Sequence, residues 1–541
     1  MSRRLFLVLA AEVVFLTGAY LCASYRVAHG FGLPLDDSWI YAVFARNLAE
    51  GRGLVYNPGQ PASPTGILYG LLLGGLYRIA VAPVAMAVLS GVLLHLAAAA
   101  LIYKTACRLG LGNCASAVCA AAFAAVPRLI WGAVSGMEVS LYVFLVTLGL
   151  YWQVRYRWYD GLRAYLATAA FALAALTRPE CGVFLAASIV ERLVTSRRFD
   201  SDKGGPRAYL RTIPAHLLVF AAIVAPAVAF NMWATGLPLP PAFYAKSARP
   251  VEPGLAASVC GGVWRTWLYL RQAMQVSGRD NPILPYAAVA GMVLCWRWSS
   301  VRSRASVLIL PLGFFLVPAA TGILASTGTG EHQLIFQTGR YSAYLVPLSV
   351  LLAGTAWGVL RHFVTPGKLG RLALIAVLTT GAWYLAVDNR DGAIRYGSDV
   401  RCINSMQVLI GKWAAHLPKG TVLAVNDAGA IPYFSRKRIL DTVGVTNPEV
   451  IRYLHKYRTR QPGLLEYLIA KKPDYLIIFP EWYPRIAGRR DILCPVNVVK
   501  IKHNTVCGAS VMVVFRPTWK RAAPTGAVRS SLKATACIRR V

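Results

Sequence analysis

Long apolar runs recur through the first two thirds of this sequence, from Leu5 to about Val387. They are about 17 to 22 residues long, enough for a helix to cross a hydrocarbon core of roughly 30 Å. The chain of 541 residues is 56% hydrophobic and only 15% charged, whereas an ordinary soluble domain carries about a quarter charged residues. The sequence therefore predicts a polytopic α-helical membrane protein.

The basic clusters between the runs indicate how the spans are oriented. We predict about eleven transmembrane helices, near residues 5–24, 84–103, 115–131, 139–153, 164–176, 182–194, 213–232, 284–298, 305–324, 342–360 and 372–387. If Arg3 and Arg4 mark a cytoplasmic N-terminus, nearly every dense cluster of Lys and Arg falls in a cytoplasmic loop. The first span has no small-residue cleavage site after it, which favours a retained anchor over a signal peptide.

The composition changes after Asp388, where short β-branched runs alternate with Gly, Pro and charged residues. We predict three parts: a transmembrane domain over 1–387 with a first external loop at about 25–83, an α/β domain over 388–515, and a disordered basic tail over 516–541. An odd number of spans places the α/β domain outside the cytoplasm. The short, glycine-broken segment Gly66 to Val81 is predicted as an interfacial or partly re-entrant helix, and its glycines as sites of close helix packing.

The formal net charge of +34 does not indicate a nucleic-acid-binding protein. The 57 Lys and Arg residues lie in short clusters between apolar runs and in the tail, which is the pattern of membrane topology signals. The basic tail has two interpretations, contact with anionic lipid or polymer and a simple solvated tail.

Two adjacent carboxylates, Asp36 and Asp37, follow the first span at the membrane boundary. A carboxylate near a low-dielectric boundary is costly unless it is paired or hydrated. The apolar residues from Trp39 to Leu48 fall at helical spacing, which predicts an amphipathic helix lying in the interface. One carboxylate is predicted to cap this helix, and the other is then available as a general base.

Further polar residues are predicted to emerge on the same outer face. The candidates for substrate binding are Glu138, Arg178, Glu180, Tyr244, Lys246, His332 and Arg340. Each has a structural alternative: a helix N-terminus favours the carboxylates, Arg178 can pair with Glu180 rather than with a phosphate, and the other cations can snorkel. His332 beside Glu331 is also typical of a hydrogen-bonded loop residue.

No metal or nucleotide motif is present. The sequence lacks a paired-His motif, a paired CxxC motif, an Asp-rich calcium loop, a Walker loop and a GxGxxG after a strand, so we predict no cofactor. A divalent ion held by Asp36, Asp37 and Glu138 remains an alternative. Cys494 and Cys507 flank a segment that a hairpin would span, and a disulfide between them is an alternative if the outside is oxidising.

Several segments together resemble a known family. They are "DDSWIYAVFARNLAEGRGLVYNPGQPASPTGILYGLLLG", "SGMEVSLYVFLVTLGLYW", "ALTRPECGVFLAAS", "LPLPPAFYAKS", "GRYSAYLVPLSVLLAG" and "NDAGAIPYFSRKRILDTVGVTNPEV". In order and spacing they are similar to the GT-C superfamily of membrane glycosyltransferases, especially its bacterial arabinofuranosyltransferase-like and protein-mannosyltransferase-like members. The stretch "QPASPTGILYG" departs from relatives, which often carry aromatic-rich sequence there.

The resemblance implies an enzyme of the cytoplasmic membrane that acts on its outer face. Asp36 or Asp37 would deprotonate an acceptor hydroxyl, and a sugar would pass with inversion from a polyprenyl-phosphate donor to a glycan, lipid or protein. Arg178, Lys246 and Arg340 would neutralise the departing phosphate. Two other functions stay open: a transporter or flippase of a lipid-linked sugar, and a catalytically inactive envelope-assembly protein.

Overall fold

The computed structural model describes residues 1–80, 82–156, 161–199, 209–246, 255–297, 308–324, 336–360, 368–457 and 459–519. Helices dominate its first part. They are α1 Arg3–Ala28, α2 Asp36–Ala49, α3 Ile67–Ile79, α4 Pro83–Arg108, α5 Asn113–Ala124, α6 Pro127–Val134, α7 Val139–Tyr156, α8 Leu166–Thr177, α9 Val183–Phe199, α10 Ile213–Thr235, α11 Pro241–Lys246, α12 Leu255–Asp280, α13 Leu284–Arg297, α14 Ile309–Leu324, α15 Leu345–Leu360 and α16 Lys368–Ile403.

Every predicted span overlaps one of these helices, but the number of spans is not confirmed. Among the described residues, three helices are long and apolar enough to cross a membrane: α1, α4 and α10. The pair α5 and α6, bent by 56°, adds a fourth if it counts as one span. The other apolar helices are shorter or carry more charge. Helix α12 lies where we predicted no span, because its arginines mask its apolar face in the sequence.

Helix α2 is buried among other parts of the chain, and its position in the membrane interface stays a prediction. All of its side chains from Ser38 to Asn47 are buried. On one side Tyr41 packs edge to face against Tyr69 of α3, with ring centroids 5.0 Å apart. On another side Ile40, Val43 and Phe44 belong to a hydrophobic core shared with the C-terminal part of the chain.

The prediction of close packing at the glycines of the segment Gly66 to Val81 is confirmed at Gly74, where α3 meets α2, and a close contact that we did not predict joins α4 to α6. A Cβ at Gly74 would lie 2.4 Å from Cδ2 of Leu48, the last turn of α2. At Gly91 of α4 the contact is with backbone, because a Cβ would lie 2.0 Å from the carbonyl oxygen of Ala133 in α6. These contacts fix the helices around the first loop.

The C-terminal part forms an α/β unit. After α16 the chain continues through a π-helical turn, Asn404–Val408, into α17 Leu409–Ala415, followed by α18 Ala430–Ser435, α19 Glu449–Leu454, α20 Arg460–Lys471 and α21 Pro484–Ala487. The first two strands of the chain form a hairpin in the first loop, β1 Val55–Asn57 and β2 Gln60–Pro61. The strands of the C-terminal unit are β3 Val422–Val425, β4 Arg438–Asp441, β5 Tyr475–Ile478, β6 Leu493–Lys500 and β7 Val511–Pro517. The sheet order is β4-β3-β5-β7-β6. Strands β3, β4 and β5 are parallel, whereas β6 and β7 form an antiparallel hairpin at one edge.

The first loop is bound to this unit. The Asn57 amide donates to the carbonyl oxygen of Ile439 in β4 at 2.9 Å and accepts from the Ile439 N–H at 2.9 Å. Nearby, the Tyr56 hydroxyl donates to the carbonyl oxygen of Ala428. The hairpin β1–β2 therefore lies against the edge strand β4 and joins the first loop to the sheet.

Three finer sequence predictions meet the structure at the C-terminal part. Helix α16 runs without a break across the predicted boundary at 387/388. Strand β7 continues through Pro517, two residues into the predicted tail, and the tail from 520 lies outside the described residues. A Cys494–Cys507 disulfide is wrong: Cys494 begins β6, whereas Cys507 follows the far end of this strand, roughly 20 Å along it. The Cys507 thiol donates to Oε1 of Gln407 at 3.5 Å instead.

Candidate functional site

Asp36 and Asp37 open α2 and bind different partners. Both carboxylate oxygens of Asp36 accept backbone hydrogen bonds from the C-terminal unit, from the Gly429 N–H at 2.7 Å and the Ala430 N–H at 2.8 Å. Asp36 thus caps the start of α18. The prediction that one of the two carboxylates caps α2 is wrong, because the residue before α2 is Leu35 and no side chain caps this end.

Gly429 is required at this contact. A Cβ at this position would lie 1.8 Å from the backbone carbonyl oxygen of Asp36 and 2.8 Å from its Cγ. A residue with a side chain therefore cannot approach α2 closely enough for its N–H to reach the carboxylate. The "NDAG" segment of the C-terminal unit and the Asp-Asp pair of the first loop form one interlocked structure.

Asp37 turns toward the membrane part and pairs with Arg340. Nη2 of Arg340 lies 2.7 Å from Oδ2 of Asp37. The Arg340 side chain is only 3% exposed, whereas that of Asp37 is 39% exposed. The same guanidinium contacts the Tyr341 hydroxyl at 2.9 Å and Sδ of Met137 at 3.7 Å. A fixed, buried cation therefore holds a carboxylate that solvent can still reach.

A second arginine also contacts the ring of Tyr341. The guanidinium of Arg178 lies 4.5 Å from the ring centroid, and that of Arg340 lies 4.8 Å from it. Arg178 also donates to Glu138 at 2.8 Å and to Glu180 at 2.6 Å. Since two carboxylates already bind its guanidinium, these contacts favour a positioning role for Arg178.

A buried ion pair that we did not predict supports the turn that carries Arg340. Arg128 of α6 donates to Asp280, the last residue of α12, at 2.6 Å, and both side chains are 5% exposed. Its Nη1 donates to the Ser342 hydroxyl at 2.9 Å and to the Gly339 carbonyl oxygen at 3.4 Å. The signal available in the sequence was an arginine within the apolar run "VPRLIWG".

Asp427 is the second residue that sequence reasoning missed. It accepts hydrogen bonds from the Gln407 amide at 2.6 Å and the Asn426 amide at 3.0 Å. Burial raises the pKa of Asp427 to about 7, and the charges of Asp37 and Asp441 act in the same direction, against the hydrogen bond from Gln407. Its signal was an acid directly after a buried strand, in "AVNDAG".

Asp36 and Asp427 influence each other. Burial, and then the Asp427 carboxylate, raises the pKa of Asp36 well above its ordinary value, although the N–H donors of Ala430 and Gly429 lower it. Carboxyl groups with raised pKa values are typical of functional sites. The junction between α2 and the C-terminal unit therefore concentrates acidic groups where the first loop meets the sheet.

The structure gathers most of the predicted site residues, namely Asp36, Asp37, Glu138, Arg178, Glu180 and Arg340. Tyr244 and Lys246 lie on α11, where Arg460 of the C-terminal unit donates to the Ala245 carbonyl oxygen at 2.9 Å. The side chain of Lys246 and all of His332 lie outside the described part of the chain. Within that part, no three His, Cys, Asp or Glu side chains gather in a metal-binding arrangement.

Solved structures with this arrangement of helices and sheet are GT-C glycosyltransferases that use polyprenyl-phosphate-linked donors. ArnT from Cupriavidus metallidurans in the apo state is 15% identical, with a TM-score of 0.56 over 95% of this chain and 99% of ArnT. ArnT bound to undecaprenyl phosphate gives the same values. The archaeal oligosaccharyltransferase AglB from Archaeoglobus fulgidus, in complex with an inhibitory peptide and a dolichol-phosphate, is 12% identical, with a TM-score of 0.56 over 95% of this chain and 76% of AglB. At these identities the likeness establishes a GT-C fold.

The sequence comparisons concern the C-terminal unit. A family model described as a domain of unknown function, DUF8728, matches residues 392–526. This range includes the end of α16, the π-helical turn and the whole sheet. No curated protein matches the sequence.

Proposed function

For a chain with the GT-C fold, we propose the function of an integral membrane glycosyltransferase. It transfers a sugar from a polyprenyl-phosphate-linked donor to a cell-envelope acceptor on the outer face of the cytoplasmic membrane. One observation carries the proposal: Asp37, 39% exposed, is held by the buried Arg340 at the junction of the helical part and the α/β unit. The contact of Asp36 with Gly429 supports a C-terminal unit on the same side as the first loop.

Asp37 is the proposed general base, and Asp36 a structural residue. Both oxygens of Asp36 already accept backbone N–H groups, which hold its carboxylate against the start of α18. Asp37 is exposed enough to meet a substrate, and the ion pair with Arg340 fixes its orientation. A base must lie within hydrogen-bonding distance of the proton that it removes, and a fixed carboxylate meets this requirement best.

In the proposed reaction, Asp37 takes the proton of an acceptor hydroxyl while that oxygen attacks the anomeric carbon. The bond between the anomeric carbon and the phosphate oxygen breaks, and its electron pair leaves with the polyprenyl phosphate. A single in-line displacement inverts the anomeric configuration. Arg340 and Lys246 are the proposed cations near the departing phosphate, with Tyr244 and His332 as further contacts to the substrates.

Arg178 has a different proposed role. It links Glu138 to Glu180 and lies against the ring of Tyr341, which also contacts Arg340. These residues position Arg340 rather than contact the phosphate themselves.

The proposal also places the N-terminus in the cytoplasm.

The test is the transfer of labelled sugar by the purified full-length protein from a panel of polyprenyl-phosphate donors. We expect Asp37→Asn to lower the transfer rate by about a hundredfold or more, because general-base catalysis contributes about 10²–10⁴-fold. The matched control is Asp391→Asn, since Asp391 is an exposed carboxylate on α16. Thermal unfolding of each variant verifies that it is folded.

Equal rates for Asp37→Asn and the parent would exclude Asp37 as the base. Donor binding without turnover by a folded parent would favour a catalytically inactive assembly protein. Movement of the lipid-linked sugar across a vesicle bilayer, with no product formed, would favour a transporter or flippase.

A further inference from the structure

Two cysteines lie where the end of α16 meets the loop between β6 and β7. Cys402 is the last residue but one of α16, is only 2% exposed and belongs to the hydrophobic core of the sheet. Cys507 lies in the loop, is partly exposed and packs against the same core. Neither thiol has a part in the proposed reaction.

The sulfur of Cys402 lies against the loop that carries Cys507. It is 3.2 Å from the carbonyl oxygen of His503 and 3.5 Å from the hydroxyl oxygen of Thr505. The loop is tightly folded, because the side chain of Asn504 accepts from the Cys507 N–H at 2.8 Å and donates to the Cys507 carbonyl oxygen at 2.8 Å. This fold brings Cys507 back toward the residues that contact Cys402.

A contact from the opposite direction places the sulfur of Cys507 on the helix. The Cys507 thiol donates to Oε1 of Gln407, a residue of the π-helical turn, at 3.5 Å. Gln407 follows Cys402 by five residues, and in a π-helical turn residues five positions apart are neighbours along the helix. The Cys507 sulfur is therefore held over the helix face that carries Cys402.

The two thiols also influence each other electrostatically. Contact with Cys507 lowers the pKa of the Cys402 thiol, an effect that burial opposes and a hydrogen bond with Thr505 reinforces. Contact with Cys402, followed by burial, raises the pKa of Cys507 above its ordinary value. Each thiol is the largest influence on the pKa of the other, as expected for neighbouring sulfurs.

We propose that Cys402 and Cys507 form a disulfide bond, which ties the β6–β7 loop to the end of α16. This inference rests on one part of the proposed function, the position of the C-terminal unit outside the cytoplasm, because disulfides form and persist in oxidising compartments. It assigns to Cys507 a partner on α16 in place of Cys494 at the far end of β6.

The bond forms by exchange with the disulfide of an extracytoplasmic thiol–disulfide oxidoreductase. One cysteine sulfur attacks a sulfur of this oxidant, whose S–S bond breaks to give a mixed disulfide and a first thiol. The other cysteine sulfur then attacks the mixed disulfide, the bond between the two Sγ atoms forms, and the second thiol leaves. The two cysteine protons end on the sulfurs of the oxidant, so one pair of thiols is oxidised and one disulfide is reduced.

The disulfide would stabilise the junction around the acidic groups. It closes a loop of about a hundred residues, which restricts the unfolded chain. It also lies close to the carboxyl cluster, because Gln407, which contacts Cys507, donates to Asp427 at 2.6 Å.

The experiment maps the cysteine pairing of the full-length protein, produced in a bacterium with an oxidising envelope. Membranes are quenched with acid and dissolved in denaturant with N-ethylmaleimide, which traps every free thiol, and peptides are analysed by mass spectrometry without reductant. We expect a linked pair of peptides that contain Cys402 and Cys507, lighter than the separate thiol peptides by two hydrogen atoms. Cys507→Ser removes this pair, whereas the matched control Cys114→Ser keeps it, because Cys114 is an exposed cysteine on α5.

Thermal unfolding with and without a phosphine reductant measures the effect of the bond. We expect reduction to lower the melting temperature of the parent and of Cys114→Ser by about 5–10 °C, and to leave that of Cys507→Ser unchanged. If Cys507→Ser fails to fold, the peptide map of the parent decides the question without it.

N-Ethylmaleimide on both Cys402 and Cys507 of the unreduced parent would overturn the inference. A link from Cys507 to Cys494, or to a second copy of the chain, would also overturn it. Transfer of labelled sugar tests the proposed function separately. A linked pair in a parent that transfers no sugar would support the disulfide and contradict the enzyme, whereas free thiols in an active parent would contradict the disulfide alone.

Discussion

At the scale of single residues, the site depends on how adjacent carboxylates are separated. Consecutive residues of a helix point about 100° apart, so Asp36 reaches the backbone of α18 while Asp37 reaches Arg340. Asp427 adds a third carboxyl group at this junction, held by Gln407. Such a cluster ionises fully only at a cost in free energy, and this cost makes the stability of the junction depend on pH.

The pH dependence gives a prediction for Asp427. Its pKa is about 7 in the folded protein against an ordinary value of 3.8, so the folded state binds the proton more tightly than the unfolded chain. The stability from this group is present at low pH and is lost as the pH rises from about 4 to about 7. We expect the parent to lose about 1–2 kcal/mol more than Asp427→Asn between about pH 5 and pH 8, after discounting for partial exposure.

The measurement is the melting temperature of both proteins across this pH range, with Asp391→Asn as the exposed control. Parallel curves for the parent and Asp427→Asn would contradict a raised pKa. A steeper fall in the melting temperature of Asp427→Asn than in that of the parent would mean that folding lowers the pKa of Asp427 rather than raises it.

At the scale of elements, close contacts between helix backbones determine where the turn at Ser135 lies. Gly91 of α4 meets the carbonyl oxygen of Ala133 in α6, directly before the turn at Ser135. The Ser38 hydroxyl of α2 donates to the Ser135 carbonyl oxygen at 2.7 Å. The packing of α4 on α6 is thus transmitted to the helix that carries the proposed base.

This arrangement predicts the effect of Gly91→Ala. The new Cβ would lie 2.0 Å from backbone, which a rotamer change cannot relieve, so we expect a loss of about 1–3 kcal/mol and a lower transfer rate. Gly18→Ala in α1 is the matched control, because nothing lies within 4 Å of its Cβ and alanine favours the helix. Thermal unfolding and transfer are measured on both, and equal stability of the two variants would refute the contact.

At the scale of the whole molecule, the first loop joins the helical part to the C-terminal unit. Asp36 binds the start of α18, and Asn57 clamps the edge strand β4. Ile40 and Phe44 complete the hydrophobic core of the sheet. The two parts of the chain therefore share one junction, and the proposed base lies at it.

Gly429→Ala tests this junction. Because a Cβ would lie 1.8 Å from the Asp36 carbonyl oxygen, we expect α18 to move away from α2, the hydrogen bonds to Asp36 to be lost, and transfer to fall by at least tenfold. Hydrogen exchange of residues 55–61 and 429–435 reports the separation directly. Gly30→Ala, with open space around its Cβ, is the control, and unchanged exchange in Gly429→Ala would contradict the coupling.

Local patterns in the sequence were sufficient for the helical character, and the resemblance of several segments to a known family was sufficient for the GT-C fold. Apolar runs specify helices through hydropathy alone, and "VLAV" followed by "NDAG" specifies a strand and its polar end. Hydropathy did not reveal α12, because its arginines interrupt the apolar pattern. It did not reveal that α2 is buried between two parts of the chain, since a helix buried by two different partners carries the same apolar spacing as one lying on a membrane.

Tertiary structure alone decided which charged groups meet. Arg128 and Asp280 are 152 positions apart, and Asp37 and Arg340 are 303 apart, so no periodicity links them. Whether Asp36 or Asp37 is exposed depends on the approach of Gly429, which a contact between distant segments sets. The sequence determined a membrane-embedded helical chain, because burial of apolar surface is a local property. The roles of the carboxylates were decided by packing, because only the folded chain places their partners.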